Sequence, residues 1–257
     1  MKVSIITISY NSENFIEKAI QSVLSQKNVD LEYILVDGDS TDGTVGIIKS
    51  HASCDARIKW VSEPDAGISD AMNKGIGMAS GEILGHLHSD DFYPHDGVLE
   101  KVSTAFAKGA IWVTGGMQIV GVKDEVIADI EVRNFSYREL LRGNLIYHPS
   151  TFVARRGLES VGLFDTSLKF AMDYDLWLRL GKLAAPLRLE EPLSAFRAHR
   201  ASLSTVSSGS AYDEAWSVRK RYYGINPVQW FLGYYRFLRH RRSYRRFNEE
   251  LLAQGDR

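Results

Sequence analysis

The stretch Gly85-His-Leu-His-Ser-Asp-Asp-Phe-Tyr-Pro94 sets two carboxylates side by side, Asp90 and Asp91, just after the apolar run Glu82-Ile-Leu-Gly-His-Leu87. That run reads as a short buried strand, so the pair stands at a strand's C-terminal end. In open α/β sheets ligands bind at this edge. Adjacent carboxylates repel each other, and a divalent cation answers that repulsion better than packing does. A second acidic turn, Val36-Asp-Gly-Asp-Ser-Thr-Asp-Gly-Thr44, offers Asp37 and Asp39 between a strand and a helix. Taken alone it reads equally as a tight turn or a ligand site, since any tight loop selects Asp and Gly. In company with Asp90 and Asp91 it has a chemistry: carboxylates that accept from a ring N–H and a ribose hydroxyl orient a nucleoside, above a metal held under its phosphates.

The elements that must position these groups alternate. Val3–Ile8, Leu31–Val36, Ile58–Val61 and Glu82–Leu87 have strand character, and helical spacing follows the first of them at Phe15, Ala19, Ile20, Val23 and Leu24. Asp42 caps the helix that carries Val45, Ile47 and Ile48, residues 70–79 are helical, and Pro94 is expected to open another helix at a position where its missing N–H costs nothing. Such β-α alternation predicts a mostly parallel central sheet flanked by helices over the first hundred or so residues. After Gly109 the pattern turns α+β, with strands expected at 110–115 and 117–122, another at 125–132 and a short helix at 136–142. Residues 202–210 read as a mobile loop, and from Ala211 the chain reads as helical, with a break at 224–227.

Composition narrows the classes. A chain of 257 residues, 44% hydrophobic and 25% charged, buries a substantial core in one domain, and a net charge of −1 makes no case for nucleic acid. The single cysteine, Cys54, forms no internal disulfide and fits a reducing cytosol. No signal peptide is read at the N-terminus and no run of about 18 apolar residues occurs, so the expected location is cytoplasmic or peripheral on a membrane. The first strand ends in Thr7-Ile-Ser-Tyr-Asn11 without a glycine-rich turn, which disfavours a dinucleotide-binding dehydrogenase, and no Walker lysine motif is present. Gly75-Ile-Gly77-Met-Ala-Ser-Gly81 has the wrong spacing for phosphate binding and reads as a helix cap and turn.

Ser4-Ile-Ile-Thr-Ile-Ser-Tyr-Asn11, the Val36–Thr44 turn, Ser62-Glu-Pro-Asp-Ala-Gly-Ile-Ser-Asp-Ala-Met-Asn-Lys-Gly75, Ser89-Asp-Asp91 and Asp173-Tyr-Asp-Leu-Trp-Leu-Arg-Leu180, in this order, resemble family 2 glycosyltransferases of the GT-A fold. The resemblance spans about residues 2–205, and the ordered set is far more specific than any one member. It implies an inverting transferase of hexosyl type that uses a nucleotide-sugar, commonly a UDP-sugar, with Mn²⁺ or Mg²⁺ on the diphosphate. It places Thr7 and Tyr10 along the base pocket, Asp37 on the base, Asp39 near the nucleoside, Asp90 toward the ribose and Asp91 on the metal. The stretch from Asp65 to Lys74 would flank the diphosphate and the donor sugar. His86 and His88 depart from the family's smaller or uncharged residues and read as strand-end filler.

The second half must then supply a base and the acceptor side. Asp173 stands at the start of a helix whose Leu176, Trp177 and Leu180 mark a buried face, and it either caps that helix or takes the proton of the attacking acceptor hydroxyl. The helix N-terminus is expected to lower its pKa, and Asp175 is the alternative base. His148 and Arg197 resemble family positions near the acceptor and the diphosphate, and His199 would complete the metal shell or donate to the leaving phosphate. The tail Trp230-Phe-Leu-Gly-Tyr-Tyr-Arg-Phe-Leu-Arg-His-Arg-Arg-Ser-Tyr-Arg-Arg-Phe247 suits either an interfacial helix on anionic lipid or one packing its aromatics on the domain. If it meets membrane, the acceptor is a lipid-linked saccharide of the kind used in bacterial surface-polysaccharide assembly. The chain divides into a nucleotide-sugar-binding half at 1–108, an acceptor and catalytic-base half of the same domain at 109–205, and a helical basic-aromatic tail at 206–257. The alternatives are a sugar-nucleotide pyrophosphorylase, which normally has a basic glycine-rich loop that Ser9–Glu13 lacks, and a non-catalytic nucleotide-sugar-binding protein at the membrane, against which Asp173 argues.

Overall fold

The computed structural model describes residues 1–198, 208–223, 231–235 and 237–239. The first half alternates as β1 (Lys2–Ser9), α1 (Ile16–Leu24), β2 (Asp30–Asp37), α2 (Thr44–Cys54), β3 (Ile58–Ser62), α3 (Ile68–Met78), β4 (Ile83–His86) and α4 (Val98–Ala107). β1 runs parallel to both β2 and β4, and β2 parallel to β3, so these four strands end at one edge of the sheet. Both faces of the sheet are covered, which is why the strands read as continuous apolar runs. Val3, Ile5, Tyr33 and Leu35 pack with Ile16, Ile20 and Val23 of α1 and Leu99 and Val102 of α4. On the other face, Ile6, Ile34 and Val36 pack with Met72 and Ile76 of α3.

The glycine-rich stretch closes α3, which ends at Met78 with Ala79 as its C-cap. A Cβ at Gly75 would lie 2.3 Å from Ile6 Cγ2, so this glycine lets α3 lie directly on β1. Pro94 does not open α4, contrary to expectation. The helix begins at Val98, where the side chain of Gln26 accepts from the Leu99 N–H at 2.9 Å and donates to the His95 carbonyl at 2.7 Å. A side chain distant in sequence thus takes over the capping work.

The second half extends the same sheet through β5 (Trp112–Val120), β6 (Val126–Ile130), β7 (Thr151–Ala154) and β8 (Leu187–Arg197), in the order β3-β2-β1-β4-β7-β5-β6, with β8 on β5. β7 joins the halves by pairing antiparallel with β4 and β5, while β8 runs parallel to β5. The two strands expected at 110–115 and 117–122 are one strand, whose register against β8 shifts at Gly115 and Gly116. The helices here are α5 (Tyr137–Leu140), α6 (Arg155–Val161), α7 (Met172–Leu183) and α8 (Ser208–Lys220). Of the expected mobile loop, residues 202–207 lie outside the described residues and 208–210 are helical. The expected break at 224–227 also lies outside them.

Residues 231–235 and 237–239 are helical and pack inward through Phe237, whose ring stacks on Trp216 at 5.3 Å and on Tyr212 at 5.3 Å. The opposite face presents Phe231, 72% exposed, with Tyr235 and Leu238 beside it at helical spacing. No helix among the described residues is long and apolar enough to cross a membrane.

Candidate active site

Strand register builds the first part of the site. Ser9 stands opposite Asp37, and Asp37 opposite Ser62, at the C-terminal edge of β1, β2 and β3. The Asp37 carboxylate accepts from the Ser9 hydroxyl at 3.0 Å, the Ser62 hydroxyl at 2.8 Å, the Ser40 hydroxyl at 2.5 Å and the Ser40 N–H at 2.9 Å. With four protein donors and no exposed surface, Asp37 holds this turn together and has no open oxygen to offer a base. Thr7 is likewise enclosed, its Oγ1 accepting from the Tyr33 hydroxyl at 3.0 Å, so it lies beneath the edge and lines no pocket. Its parity on β1 sends it inward.

The accessible groups are Tyr10, 64% exposed, and Asp39, which sits exposed at φ 66°. Asn11, at φ 47°, ties the two loops: its N–H donates to Ser40 Oγ at 2.8 Å and its Oδ1 accepts from the Thr41 N–H at 2.9 Å. Asp65 reaches over the same turn, where a Cβ on Gly38 would lie 2.6 Å from its Oδ2. Lys74 pairs with Glu63 at 3.0 Å and donates to the Pro64 carbonyl at 2.8 Å, bracing the loop that carries Asp65.

Asp91 follows β4, almost fully buried, with Oδ1 accepting from the Arg197 N–H at 3.0 Å. Burial, and then the charge of Asp90, raise its pKa well above the ordinary carboxylate value. Protein groups alone therefore do not sustain two carboxylates here, which is the condition a bound cation relieves. Among the described residues no group of three or more His, Cys, Asp or Glu is gathered to cage a metal. The pair instead fits an ion that brings further oxygen ligands of its own, as one bound to a diphosphate does. His199 lies outside the described residues.

Arg197 is not an open phosphate clamp. It is 2% exposed, donates from Nε to the Asp90 carbonyl at 3.0 Å, pairs through Nη1 with Asp124 at 2.6 Å, and lies over the Phe15 and Phe92 rings. Its planar fork is spent fastening the Asp90–Asp91 turn to the β5–β6 loop.

Between this turn and α7 the structure gathers His86 and His88, which sequence reasoning took for filler, against His148, which it placed on the acceptor side. His88 stacks on His148 at 5.2 Å, His86 lies 5.6 Å from His148, and His148 lies 5.9 Å from Trp177. Burial lowers the pKa of all three, His86 to about 3, and the neighbouring imidazoles lower His148 further, so they are neutral. His86 Nε2 and both ring nitrogens of His148 are buried without a hydrogen-bond partner. Unmet polar atoms are costly inside a protein and mark places where a polar ligand has something to satisfy.

Asp173 stands one helical turn before Trp177. The N-cap of α7 is Ala171, so Asp173 does not cap the helix, which excludes that reading. Its Oδ1 accepts from the Tyr174 N–H at 2.6 Å and its Oδ2 from the Asn144 amide at 3.1 Å. Burial nevertheless raises its pKa to about 6, opposite to the direction expected from the helix N-terminus, because desolvation outweighs these donors. A carboxylate in this range is a stronger base and is still largely ionised at neutral pH. Asp175 is excluded as the alternative base: it is 4% exposed, and its oxygens accept from Arg179 Nε at 2.8 Å and the Tyr222 hydroxyl at 3.1 Å.

The side chains that sequence reasoning missed, Asn11, Ser40, Asn144 and Trp177, carry no signal of chemistry in their types. Only three-dimensional contact singles them out.

Residues 4–158 match the family described as Glycosyl transferase family 2. An uncharacterized glycosyltransferase of Mycobacterium tuberculosis is 33% identical over 201 residues, covering 76% of this chain and 74% of that one. The chondroitin synthase of Escherichia coli is 28% identical over 184 residues, covering 70% of this chain, which spans 26% of that longer protein. Among solved structures, S. aureus TarS 1-349 in complex with UDP-GlcNAc superposes with a TM-score of 0.65 at 17% identity, covering 85% of this chain and 66% of that one. The mannosyltransferase PcManGT of Pyrobaculum calidifontis, in complex with GDP-Man and Mn²⁺, does so with a TM-score of 0.67 at 18% identity, covering 99% and 74%.

Proposed function

The chain belongs to glycosyl transferase family 2 and has the GT-A fold, and from that premise we propose that it is a metal-dependent, inverting transferase. It would move a sugar from a nucleotide-activated donor, in first place a UDP-sugar, to a saccharide acceptor. The observation that carries this reading is the pairing of two carboxylate sites of different character. Asp90 and Asp91 form a charge-stressed pair at the end of β4, and Asp173 is a single carboxyl with a pKa raised to about 6. The rings of His88, His148 and Trp177 bridge the ground between them.

Asp91, with Asp90 beside it, would hold Mn²⁺ or Mg²⁺, which would supply positive charge to stabilise a departing diphosphate. Tyr10, Asp39 and Asp65 take the nucleoside side, and Asp37 keeps their turn in shape. Asp173 accepts the proton of the acceptor hydroxyl while that oxygen forms its bond to the anomeric carbon, and the bond from that carbon to the diphosphate oxygen breaks. Attack opposite the leaving group inverts the anomeric centre. Asn144 holds the carboxylate in place for this step.

The exposed stripe of Phe231, Tyr235 and Leu238, together with the arginines of the tail sequence, supports docking on an anionic lipid surface. That would place the enzyme at the cytoplasmic membrane face, working on a lipid-linked saccharide. Calorimetric titration of UDP, GDP and CMP into the full chain with Mn²⁺, repeated with EDTA and with Asp91→Asn, tests the donor site. Base-selective binding that needs the metal and Asp91 supports the reading, and a folded protein that binds none of the three contradicts it.

A further inference from the structure

The residues after Ala211 lie beyond the stretch that matches the family, yet one of them reaches into the catalytic half. Glu214 of α8 places its carboxylate on three consecutive backbone N–H groups. Oε1 accepts from Lys169 at 3.0 Å, and Oε2 accepts from Phe170 at 2.6 Å and from Ala171 at 2.7 Å. Ala171 is the N-cap of α7, two residues before Asp173. Both oxygens are in use, and such charge-assisted bonds are about twice as strong as neutral ones.

The same loop is held from the opposite side by the nucleotide half. Asn73 of α3 exchanges two hydrogen bonds with the backbone of Phe164, at 2.9 Å and 3.1 Å, and Ser69 donates to the Leu168 carbonyl at 3.1 Å. The 164–171 segment is therefore strung between α3 and α8, with the base at its end. Docking of α8 does not depend on Glu214: Arg219 donates to the Arg142 carbonyl, and Tyr222 to Asp175 at 3.1 Å. What Glu214 adds is confined to the backbone that leads into Asp173.

We propose that Glu214 is a positioning residue for sugar transfer, fixing the approach to α7 so that the Asp173 carboxylate stands where the acceptor hydroxyl is presented. The tail segment is then a working part of the catalytic unit. This rests on the reading of Asp173 as the base.

The test compares wild type, Glu214→Ala and Glu214→Gln in the full chain. It uses release of nucleoside diphosphate from UDP-GlcNAc or GDP-mannose with Mn²⁺, calorimetric affinity for the matching nucleotide, and amide hydrogen exchange over residues 165–176. The alanine variant is expected to lose exchange protection at Phe170 and Ala171 and to lose about ten- to a hundredfold in kcat, with nucleotide affinity unchanged. Glutamine keeps one oxygen for these amides and is expected to recover most of both. Loss of protection with kcat unchanged overturns the positioning role, and protection unchanged in the alanine variant overturns the contact itself. A wild type that turns over no donor while it still protects these amides overturns the transferase reading, and the role of Glu214 falls with it.

Discussion

Replacing Asp173 by Asn separates the role of this carboxyl from its effect on stability. Burial raises its pKa to about 6 from the ordinary 3.8, so between these values the folded protein holds a proton that the unfolded chain has released. The sign follows. Stability contributed by the protonated carboxyl is fully present below about pH 4 and is lost as pH rises to about 6. A shift of about two units corresponds to about 3 kcal/mol, and solvent reaching this half-buried side chain reduces that to about 1.5 kcal/mol. Asn cannot ionise and does not suffer the loss. Its melting temperature relative to wild type should therefore climb by roughly 3–6 °C between pH 4 and pH 8, whatever the offset from the exchanged hydrogen bonds. The same variant should lose about 10²- to 10⁴-fold in donor turnover at pH 7.5. Scanning calorimetry across pH, paired with a turnover assay, reads both effects. A melting difference that is flat or falls with pH would mean that the helix N-terminus, and not burial, governs this group, and the argument for a strengthened base would be refuted.

Arg197→Met removes a buried guanidinium that pairs with Asp124 and donates to the Asp90 carbonyl, so about 3–5 kcal/mol of stability should go with it, read as a lower melting temperature and as weaker Mn²⁺-dependent nucleotide binding. His148→Phe keeps the ring stack on His88 and deletes two unpartnered buried nitrogens. It should leave stability unchanged or raise it by about 1–2 kcal/mol while lowering turnover, and a variant of full activity would remove the imidazole from the sugar site. Replacing Phe231, Tyr235 and Leu238 together by Ser should abolish sedimentation with vesicles containing phosphatidylglycerol and leave donor turnover in solution intact. Equal recovery of wild type in the supernatant, with or without anionic lipid, would dismiss the membrane contact.

The alternation of β1 to β4 with their helices was legible because strand and helix periods differ and each apolar run stops at a polar turn. The same punctuation located Asp37, Asp90 and Asp91 at strand ends. Orientation was less legible. Both faces of β1 are covered, so the pattern did not say that Thr7 turns inward to Tyr33. Arg197 read as a site residue from its resemblance to a family position and Asp175 from its place beside Asp173, whereas each is buried by partners far away in sequence. β8 escaped notice because Arg188, Glu190, Glu191 and Pro192 interrupt its apolar run. The pKa of Asp173 came out with the wrong sign because the helix dipole is visible in sequence and burial is not. Glu214 stands 43 residues and more from the amides it holds, a distance over which residue type alone says nothing.

The central claim is tested most directly by donor turnover in three proteins: wild type, Asp91→Asn and Asp173→Asn. Each is incubated with UDP-GlcNAc and with GDP-mannose, with Mn²⁺ or with EDTA, and the released nucleoside diphosphate and the anomer of the freed or transferred sugar are followed by NMR. The account predicts release by wild type from one of these donors, dependent on Mn²⁺, with an inverted anomeric product and at least about a hundredfold loss in each folded variant. Equal rates in all three proteins, or no release by folded wild type from either donor, would contradict it.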